Sequence, residues 1–313
     1  MKGNEQTFVV VTPVYEDNEA AARLFKELYQ EFGARVSIVA VDDGSVCEPL
    51  DSANISNAGL SGVVIRLKRN LGHQQAIAVG INYVAQELPD TPVVVMDSDG
   101  EDLPSTIQKL LDSLNKPSVD MVVATRQSRV ETIKFRAFYA IYKSIFKFLS
   151  GRKISFGNFM ALSPFGAKRL ANMEELWIHV AGCALASKLR IRSCSLDRGP
   201  RYAGQSKMNF VGLALHGFRG LMVFADDVLV RVGIACAGIA SFTIVAGIAA
   251  VFLKLFGFAT PGWFSVASGI LLVAFLQTGA LALVTLMLSG VARGGVSVTD
   301  YGALIDSVEA VQA

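Results

Sequence analysis

The chain has 313 residues, enough for two domains, and its hydrophobic content of 52% with a mean hydropathy of +0.43 is high for a soluble protein. Its net charge is +2, and the basic residues form no long stripe, which argues against nucleic acid as a partner. The cysteines Cys47, Cys183, Cys194 and Cys236 lack the spacing of a metal site and indicate reduced, structural thiols.

The first two thirds of the chain alternate short apolar runs with helical patterns. Strands are predicted at residues 8–12, 36–41, 63–67, 93–96 and 121–124, and helices at 19–32, 74–87 and 105–114. This alternation predicts an α/β fold with a mainly parallel, doubly wound sheet, which binds ligands beyond the carboxyl ends of its strands. The absence of a Gly-x-Gly-x-x-Gly motif argues against a dinucleotide-dependent dehydrogenase. The polar residues 1–6 predict no signal peptide, so this domain is expected in the cytoplasm.

Polar clusters follow three of these strands. They read PVYED at 13–17, VDDGS at 41–45 and MDSDGED at 96–102. Since the carboxyl ends of parallel strands share one edge, the clusters are expected to converge there. The carboxylates of the third cluster are hard ligands for Mg²⁺ or Mn²⁺, and Mg²⁺ is usually held by one or two carboxylates plus substrate phosphates. A metal-bound nucleotide is therefore predicted, and a solvated acidic turn is the alternative.

Two apolar runs near the C-terminus, residues 232–253 and 264–288, contain no charged residue. At about 1.5 Å per residue they give roughly 33 and 37 Å of helix, enough for a hydrocarbon core of about 30 Å. The alternative, two buried core helices, needs more protein than the rest of the chain offers to cover them. Cationic residues flank the pair and the connecting turn has only one, so both termini are predicted in the cytoplasm.

Two further segments are predicted to lie at a membrane interface. Residues 131–150 mix aromatic and cationic side chains, which suits anionic head groups, and residues 208–224 are similarly apolar with few charges. For the first segment an ordinary amphipathic core helix remains the alternative.

The motifs occur in an order that resembles a known enzyme family. PVYED, VDDGS, RNLGHQQA at 69–76, MDSDGED and RYAGQSK at 201–207, followed by two spans, resemble the inverting glycosyltransferases of family 2, which have a GT-A fold. Within that family the chain is similar to the polyprenyl-phosphate group, the dolichyl-phosphate mannosyltransferases and bactoprenol glucosyltransferases. The resemblance covers residues 7 to about 290. It implies a GT-A domain over 1–205, an interfacial helix over 206–228, a transmembrane hairpin over 229–292 and a cytoplasmic tail over 293–313.

The resemblance also implies roles for individual residues. The positions that bind the nucleotide sugar in the family are matched here by Pro13, Tyr15, Glu16, Asp43, Asp97 and Ser98. Among these, Glu16 and Asp43 match the residues that hold the base and the ribose, since a carboxylate accepts bonds from N–H and hydroxyl groups. Asp97 and Asp99 match the Asp-x-Asp pair that binds the metal bridging the diphosphate, with Asp99 as the direct ligand. Asp102 either supports this pair or caps the following helix.

Basic residues are expected around the phosphates. Arg126 and Arg129 follow the fifth strand, where guanidinium groups clamp a diphosphate, although Arg129 suits a solvated loop equally well. Arg201, Ser206 and Lys207 match the family's Arg-x-x-Gly-x-Ser-Lys element, which suits an anionic acceptor or the leaving diphosphate.

One position departs from the family. Many members carry an Asp, often assigned as the catalytic base, in a Gly-Asp-Phe element where this chain has Asn158. An amide accepts no proton at neutral pH, and general-base help typically contributes about 10² to 10⁴ in rate. A phosphate monoester, with a second pKa of about 6, is already mostly dianionic. Asn158 is thus compatible with a lipid monophosphate acceptor and argues against a hydroxyl acceptor, unless a carboxylate such as Asp102 serves.

The resemblance therefore implies inverting transfer of one hexose from a nucleoside diphosphate sugar, with UDP-glucose favoured, to a polyprenyl phosphate. Such an enzyme is expected in the inner (cytoplasmic) membrane, embedded in the bilayer and packed as a homo-oligomer through the small residues of its spans. Two alternatives stay open. One is a transferase acting on a lipid-linked sugar hydroxyl or another glycolipid. The other is a non-catalytic sugar-nucleotide sensor or membrane scaffold, because residues 296–313 lack the Gly-Arg-x-Tyr-x-Glu ending of bactoprenol glucosyltransferases.

Overall fold

A computed structural model describes residues 7–126, 143–153, 156–202, 210–258, 260–293 and 301–313. The chain divides into two compact units. The first includes Met1–Lys143, Lys153–Val223 and Ser297–Ala313, and the second includes Ser144–Arg152 and Phe224–Val296. The first unit contains the sheet, and the second contains the two long apolar helices.

The first unit is built on an eight-stranded sheet in the order β7-β5-β6-β4-β1-β2-β3-β8. The strands are β1 Phe8–Val14, β2 Val36–Asp42, β3 Ser61–Leu67, β4 Val93–Val95, β5 Met121–Arg126, β6 Met160–Leu162, β7 Ile191–Leu196 and β8 Ile305–Val311. Strands β1 to β4 pair in parallel, as do β5 and β7, whereas β6 and β8 are antiparallel to their neighbours. The predicted mainly parallel α/β sheet is confirmed.

In the first unit, helices cover both faces of the sheet. The helices of the two units are α1 Asn18–Phe32, α2 Ala53–Asn57, α3 His73–Glu87, α4 Ile107–Leu114, α5 at 143–150, α6 Pro164–Ala171, α7 Val180–Ala186, α8 Phe210–Met222, α9 Ala225–Leu255 and α10 Trp263–Arg293. Alternate residues of β1 belong to opposite cores, with Val10 packed among α1 and α4 side chains and Val11 among those of α3. Burial on both faces explains why the strands read as continuous apolar runs.

Helix α3 lies very close to the sheet, which positions its N-terminus at the edge where the polar clusters meet. A Cβ at Gly80 would stand 2.4 Å from Val11 Cγ1, so a larger residue would push α3 away from β1. The parallel register pairs Val14 with Asp42, so β1 and β2 end together. Pairing through Val14 also places Pro13 inside β1, whereas the sequence pattern put it just after the strand.

The second unit contains the helices α9 and α10, each of 31 residues, packed as a hairpin. By length and composition both are able to cross a membrane, and the protein buries 17% of the most apolar window of α9 and 0% of that of α10. Helix α9 begins at Ala225, so the segment 206–228, predicted as one interfacial helix, is interrupted between Met222 and Ala225. Phe224, the residue before α9, has a φ of −112° and a ψ of 30°, outside the helical range.

Candidate active site

The loop after β1 is organised by Glu16. Its carboxylate accepts hydrogen bonds from three successive backbone N–H groups, those of Val46 (2.7 Å), Cys47 (3.1 Å) and Glu48 (2.6 Å). The Glu16 N–H donates in turn to Ser45 Oγ at 2.8 Å. Glu16 therefore holds the loops after β1 and β2 together, and Tyr15 beside it is 44% exposed, open to a ligand.

Asp43, at the end of β2, is almost fully buried. Its two carboxylate oxygens accept from the N–H groups of Leu71 (2.8 Å) and Gly72 (2.9 Å), immediately before α3. Burial raises the pKa of Asp43, and the two backbone hydrogen bonds oppose this shift. Asp43 thus fixes the start of α3, and a carboxylate retains lone pairs beyond these two bonds.

The acidic loop after β4 is held to two other parts of the first unit. Asp97 Oδ1 lies 3.2 Å from His73 Nε2, at the start of α3. Asp99 Oδ2 lies 2.7 Å from an Nη atom of Arg201, and its Oδ1 accepts from the Glu101 N–H at 2.9 Å. The predicted metal pair and the predicted phosphate-binding Arg201 are therefore neighbours.

The segment carrying Arg201 is clamped along the acidic loop. The Tyr202 N–H donates to the Asp99 carbonyl at 2.9 Å, and Arg198 forms an ion pair with Glu101. The Tyr202 hydroxyl donates to Glu27 of α1 at 2.6 Å, and the Arg23 guanidinium lies 4.2 Å from its ring centroid. Sequence reasoning missed the anchoring role of Tyr202, although it stands inside the RYAGQSK motif.

Electrostatics at the acidic loop favour a bound cation. Burial and the charge of Asp97 raise the pKa of Asp99, while Arg201 opposes the shift. Burial lowers the pKa of His73, but the charge and hydrogen bond of Asp97, together with the charges of Asp43 and Asp99, outweigh it, and the net shift is upward. A partly buried carboxylate with a second carboxylate beside it also attracts a divalent ion.

Asp97 and Asp99 fit such an ion by donor chemistry. Within the residues that the structure describes, no group of three His, Cys, Asp or Glu side chains forms a protein metal cage. Mg²⁺ and Mn²⁺ that serve a diphosphate need few protein ligands, because the substrate oxygens supply others. The two carboxylates therefore suit a metal shared with the substrate.

Asn158 is part of a hydrogen-bonded network rather than a solvated position. Its Oδ1 accepts from Gln74 Nε2 at 3.2 Å, and its Nδ2 lies 2.9 Å from His73 Nε2. The Gln74 Oε1 accepts from the Val180 N–H at 2.8 Å. Gln74 is buried in α3, where a polar side chain needs hydrogen-bond partners, and sequence reasoning overlooked this residue.

The remaining predicted residues are placed as follows. Ser98 is buried between Asp97 and Asp99, and a cleft lined by Asp97, Asp102, Asn158, Asp197 and Arg198, among others, opens beside the loop. Arg126 is the last residue of β5. Arg129, Ser206 and Lys207 lie outside the described residues, as does the part of the segment 131–150 before residue 143.

Comparison with known proteins shows the family of this chain. Residues 9–177, more than half of the chain, match the model of the family described as glycosyl transferase family 2. An uncharacterized glycosyltransferase of Synechocystis sp. is 27% identical over 90% of this chain and 88% of that protein. Undecaprenyl-phosphate 4-deoxy-4-formamido-L-arabinose transferase of Edwardsiella ictaluri is 28% identical over 47% of this chain and 45% of that protein.

A similar solved structure is that of glucosyl-3-phosphoglycerate synthase from Mycobacterium tuberculosis, in complex with Mn²⁺, UDP-glucose and phosphoglyceric acid. It is 14% identical, covers 71% of this chain and 80% of that one, and has a TM-score of 0.49.

The family match identifies the chain as a member of glycosyl transferase family 2, and its first unit as a GT-A-like domain. It is a glycosyltransferase, as the ordered motifs predicted.

Proposed function

We propose that this enzyme transfers one hexose from a nucleoside diphosphate sugar to a polyprenyl phosphate, with inversion at the anomeric carbon. The observation that carries the proposal is the contact between Arg201 and Asp99 at the carboxyl edge of the sheet. It joins the cation site expected for a donor diphosphate to the motif expected to bind an anionic acceptor. The arabinose transferase relative, named for an undecaprenyl phosphate, supports a lipid phosphate as that acceptor.

Acidic residues of the site are assigned to the nucleotide and the metal ion, and basic residues to the phosphates. The loops held by Glu16 and Asp43 border the nucleotide, with Tyr15 open to contact it. Arg201, with Ser206 and Lys207, orients the acceptor phosphate for in-line attack. Arg126 stabilises the departing diphosphate. A divalent ion held by Asp97 and Asp99 would neutralise charge that develops on the diphosphate as the glycosidic bond breaks.

Asn158 supports a phosphate acceptor. Its Oδ1 already accepts from Gln74 and its amide group contacts His73, so this side chain is a structural link in the site. A dianionic phosphate needs orientation but no base. The second candidate, transfer to a lipid-linked hydroxyl, requires a base, and Asp102 is one of the carboxylates that line the same cleft.

The helices α9 and α10 are proposed to anchor the enzyme in the inner membrane. Helix α8 supports this placement, because Leu215, Phe218 and Met222, spaced three and four residues apart, are 54%, 63% and 59% exposed on one face. A surface helix with an exposed apolar stripe suits the lipid interface.

The test is an assay of purified full-length protein with polyprenyl phosphate, Mg²⁺ or Mn²⁺, and a panel of labelled sugar nucleotides that includes UDP-glucose. We expect labelled lipid from one donor, and no product after chelation of the metal until Mn²⁺ or Mg²⁺ is restored.

An absence of labelled lipid from every donor would contradict the proposal. Product only with a lipid-linked sugar, made faster by Asn158→Asp, would favour the hydroxyl acceptor. Donor binding without any turnover would favour a sensor.

A further inference from the structure

Two side chains satisfy backbone N–H groups in the first turn of α7. Gln74 Oε1 accepts from the Val180 N–H, and His179 Nδ1 accepts from the Gly182 N–H at 3.0 Å. The first N–H groups of a helix have no intrahelical partner, and both residues are buried, so these acceptors replace water. A backbone N–H can only donate, which fixes the direction of both bonds.

The bond from Gly182 fixes the tautomer of His179. A nitrogen that accepts a hydrogen bond has no proton, so the neutral ring must have its proton on Nε2. Burial, together with the charges of His216 and Arg219, lowers the pKa of His179 to about 3. His179 is therefore a neutral donor through Nε2–H at neutral pH.

His216 accepts the hydrogen bond that His179 donates. Its Nε2 lies 3.1 Å from His179 Nε2, with the ring centroids 4.5 Å apart. Because His179 donates, His216 must accept through Nε2, and the proton of its neutral ring lies on Nδ1. Burial and the charges of His73 and Arg219 lower the pKa of His216, whereas Asp97 opposes the shift. The ring thus offers one N–H and no charge.

The position of His216 points to an anionic ligand. It lies in the middle of α8, on the side that contacts α7. Hydrogen bonds link this position to the cleft, because the N–H group of Val180, next to His179, donates to Gln74, and Gln74 donates to Asn158 in the cleft wall. Arg219, three residues along the same helix, is exposed and adds a positive charge nearby. A neutral donor next to a cation is suited to a phosphate.

We propose that His216 binds the acceptor: its Nδ1–H donates to an oxygen of the lipid phosphate, and His179 is the positioning residue that keeps Nδ1 protonated. This inference rests on the proposed function for the identity of the ligand, but the tautomers follow from the protein alone. An uncharged imidazole orients the phosphate without repelling His179, Arg219 or a nearby metal ion.

Three variants distinguish the phosphate contact of His216 from the positioning effect of His179. His216→Leu removes the N–H, and we expect a rise of about tenfold in the KM for polyprenyl phosphate, the usual loss for one hydrogen bond to a charged group, with the donor KM unchanged. His216→Gln accepts from His179 and still donates, so it is expected to recover most of that loss. His179→Asn keeps a good helix cap but cannot reach His216, and we expect an intermediate rise. A rise in the donor KM instead, or no change in His216→Leu, would overturn the assignment.

Nuclear magnetic resonance provides a readout independent of turnover. The chain has 3 histidines, so labelling with ¹⁵N-histidine gives few ring signals. We expect His179 protonated on Nε2 and His216 on Nδ1, both neutral at pH 7. Vesicles containing polyprenyl phosphate should shift the His216 Nδ1–H signal, and vesicles with the phosphate-free polyprenol should leave it in place. If His216 is protonated on Nε2, His179 does not keep its proton on Nδ1, and the assignment is wrong. The expected tautomers with no response to polyprenyl phosphate would overturn the phosphate contact, whereas failure of the proposed function would appear as missing labelled lipid.

Discussion

At the scale of single residues, carboxylates in this protein do two different jobs. The carboxylates of Glu16 and Asp43 accept hydrogen bonds from backbone N–H groups of loops. Asp97 lies beside His73, and Asp99 lies beside Arg201. Asp97 and Asp99 lie in one short loop, where burial and the charge of Asp97 raise the pKa of Asp99, a condition that also attracts a cation. The distinction separates residues that shape the site from residues that act in it.

Asp99→Asn tests this distinction directly. The amide keeps the size of the side chain but removes the charge that a metal and Arg201 need, so we expect turnover to fall by at least about 100-fold. The melting temperature should change little. Asp112→Asn, on the exposed face of α4, is the matched control and should keep wild-type rates. Normal turnover in the Asp99 variant would refute the metal role.

Asp120 provides a pH-dependent contribution to stability. Its Oδ1 accepts from Arg190 Nη at 2.6 Å and its Oδ2 from Arg190 Nε at 2.8 Å, joining the starts of β5 and β7. The hydrogen bonds from Arg190 lower the pKa of Asp120 in the folded state. The stabilisation is therefore complete above the unfolded pKa of about 3.9 and is lost as the pH falls through the lower folded value. We expect Asp120→Asn to reduce the melting temperature by a few degrees at pH 7 and less at pH 3, measured by thermal unfolding. A loss of equal size at both pH values would contradict this account.

At the scale of elements, the sequence pattern located the strands that carry the site because they are buried on both faces and read as apolar runs. It did not locate β6, which has three residues, too few for any periodicity. It also missed β8, because pairing with β3 depends on contacts across more than 200 residues of chain. Likewise, the motifs predicted that Glu16 and Asn158 belong to the site, but their partners come from distant loops and helices that no local pattern reveals.

Strand β8 supports the loop after β2 through ion pairs and a hydrogen bond. Glu309 lies 3.3 Å from Arg66, and Arg66 lies 3.3 Å from Asp42, whose carboxylate accepts from the Ser45 and Leu50 N–H groups. Ser52 donates to Glu309 at 2.7 Å. The last strand of the chain thus supports the loops that Glu16 organises.

Removing residues 305–313 is therefore expected to lower the melting temperature and to raise the KM for the sugar nucleotide several-fold, with a smaller effect on kcat. The variant Glu309→Gln keeps β8 and weakens only the ion pair, so its effects should be smaller because exposed pairs contribute about 0–1 kcal/mol. Both are measured by thermal unfolding and by initial rates at varied donor concentration. A truncated enzyme with the wild-type donor KM would show that β8 does not support the loops.

At the scale of the whole molecule, chain connectivity constrains the membrane topology. The chain leaves the sheet unit before α9, and after α10 it returns to that unit to pair β8 with β3. If α9 and α10 each cross the bilayer once, the two crossings bring the chain back to its starting side. The pairing of β8 therefore requires both ends of the hairpin to lie on one side of the bilayer. That this side is the cytoplasm stays a prediction from the cationic residues.

Thiol labelling tests this topology with residues the protein already has. Of the four cysteines, all within the described part of the chain, Cys47 is exposed, and it lies in the sheet unit. A membrane-impermeant maleimide should leave Cys47 unmodified in intact cells and modify it after permeabilisation. Thr260→Cys places a thiol in the exposed turn between α9 and α10, and in a Cys47→Ser background we expect it to react in intact cells. Labelling of Cys47 before permeabilisation would place the catalytic sheet outside. Protection of both thiols in intact cells would mean that the hairpin does not cross the bilayer, since a crossing hairpin must expose its turn on the side opposite the sheet.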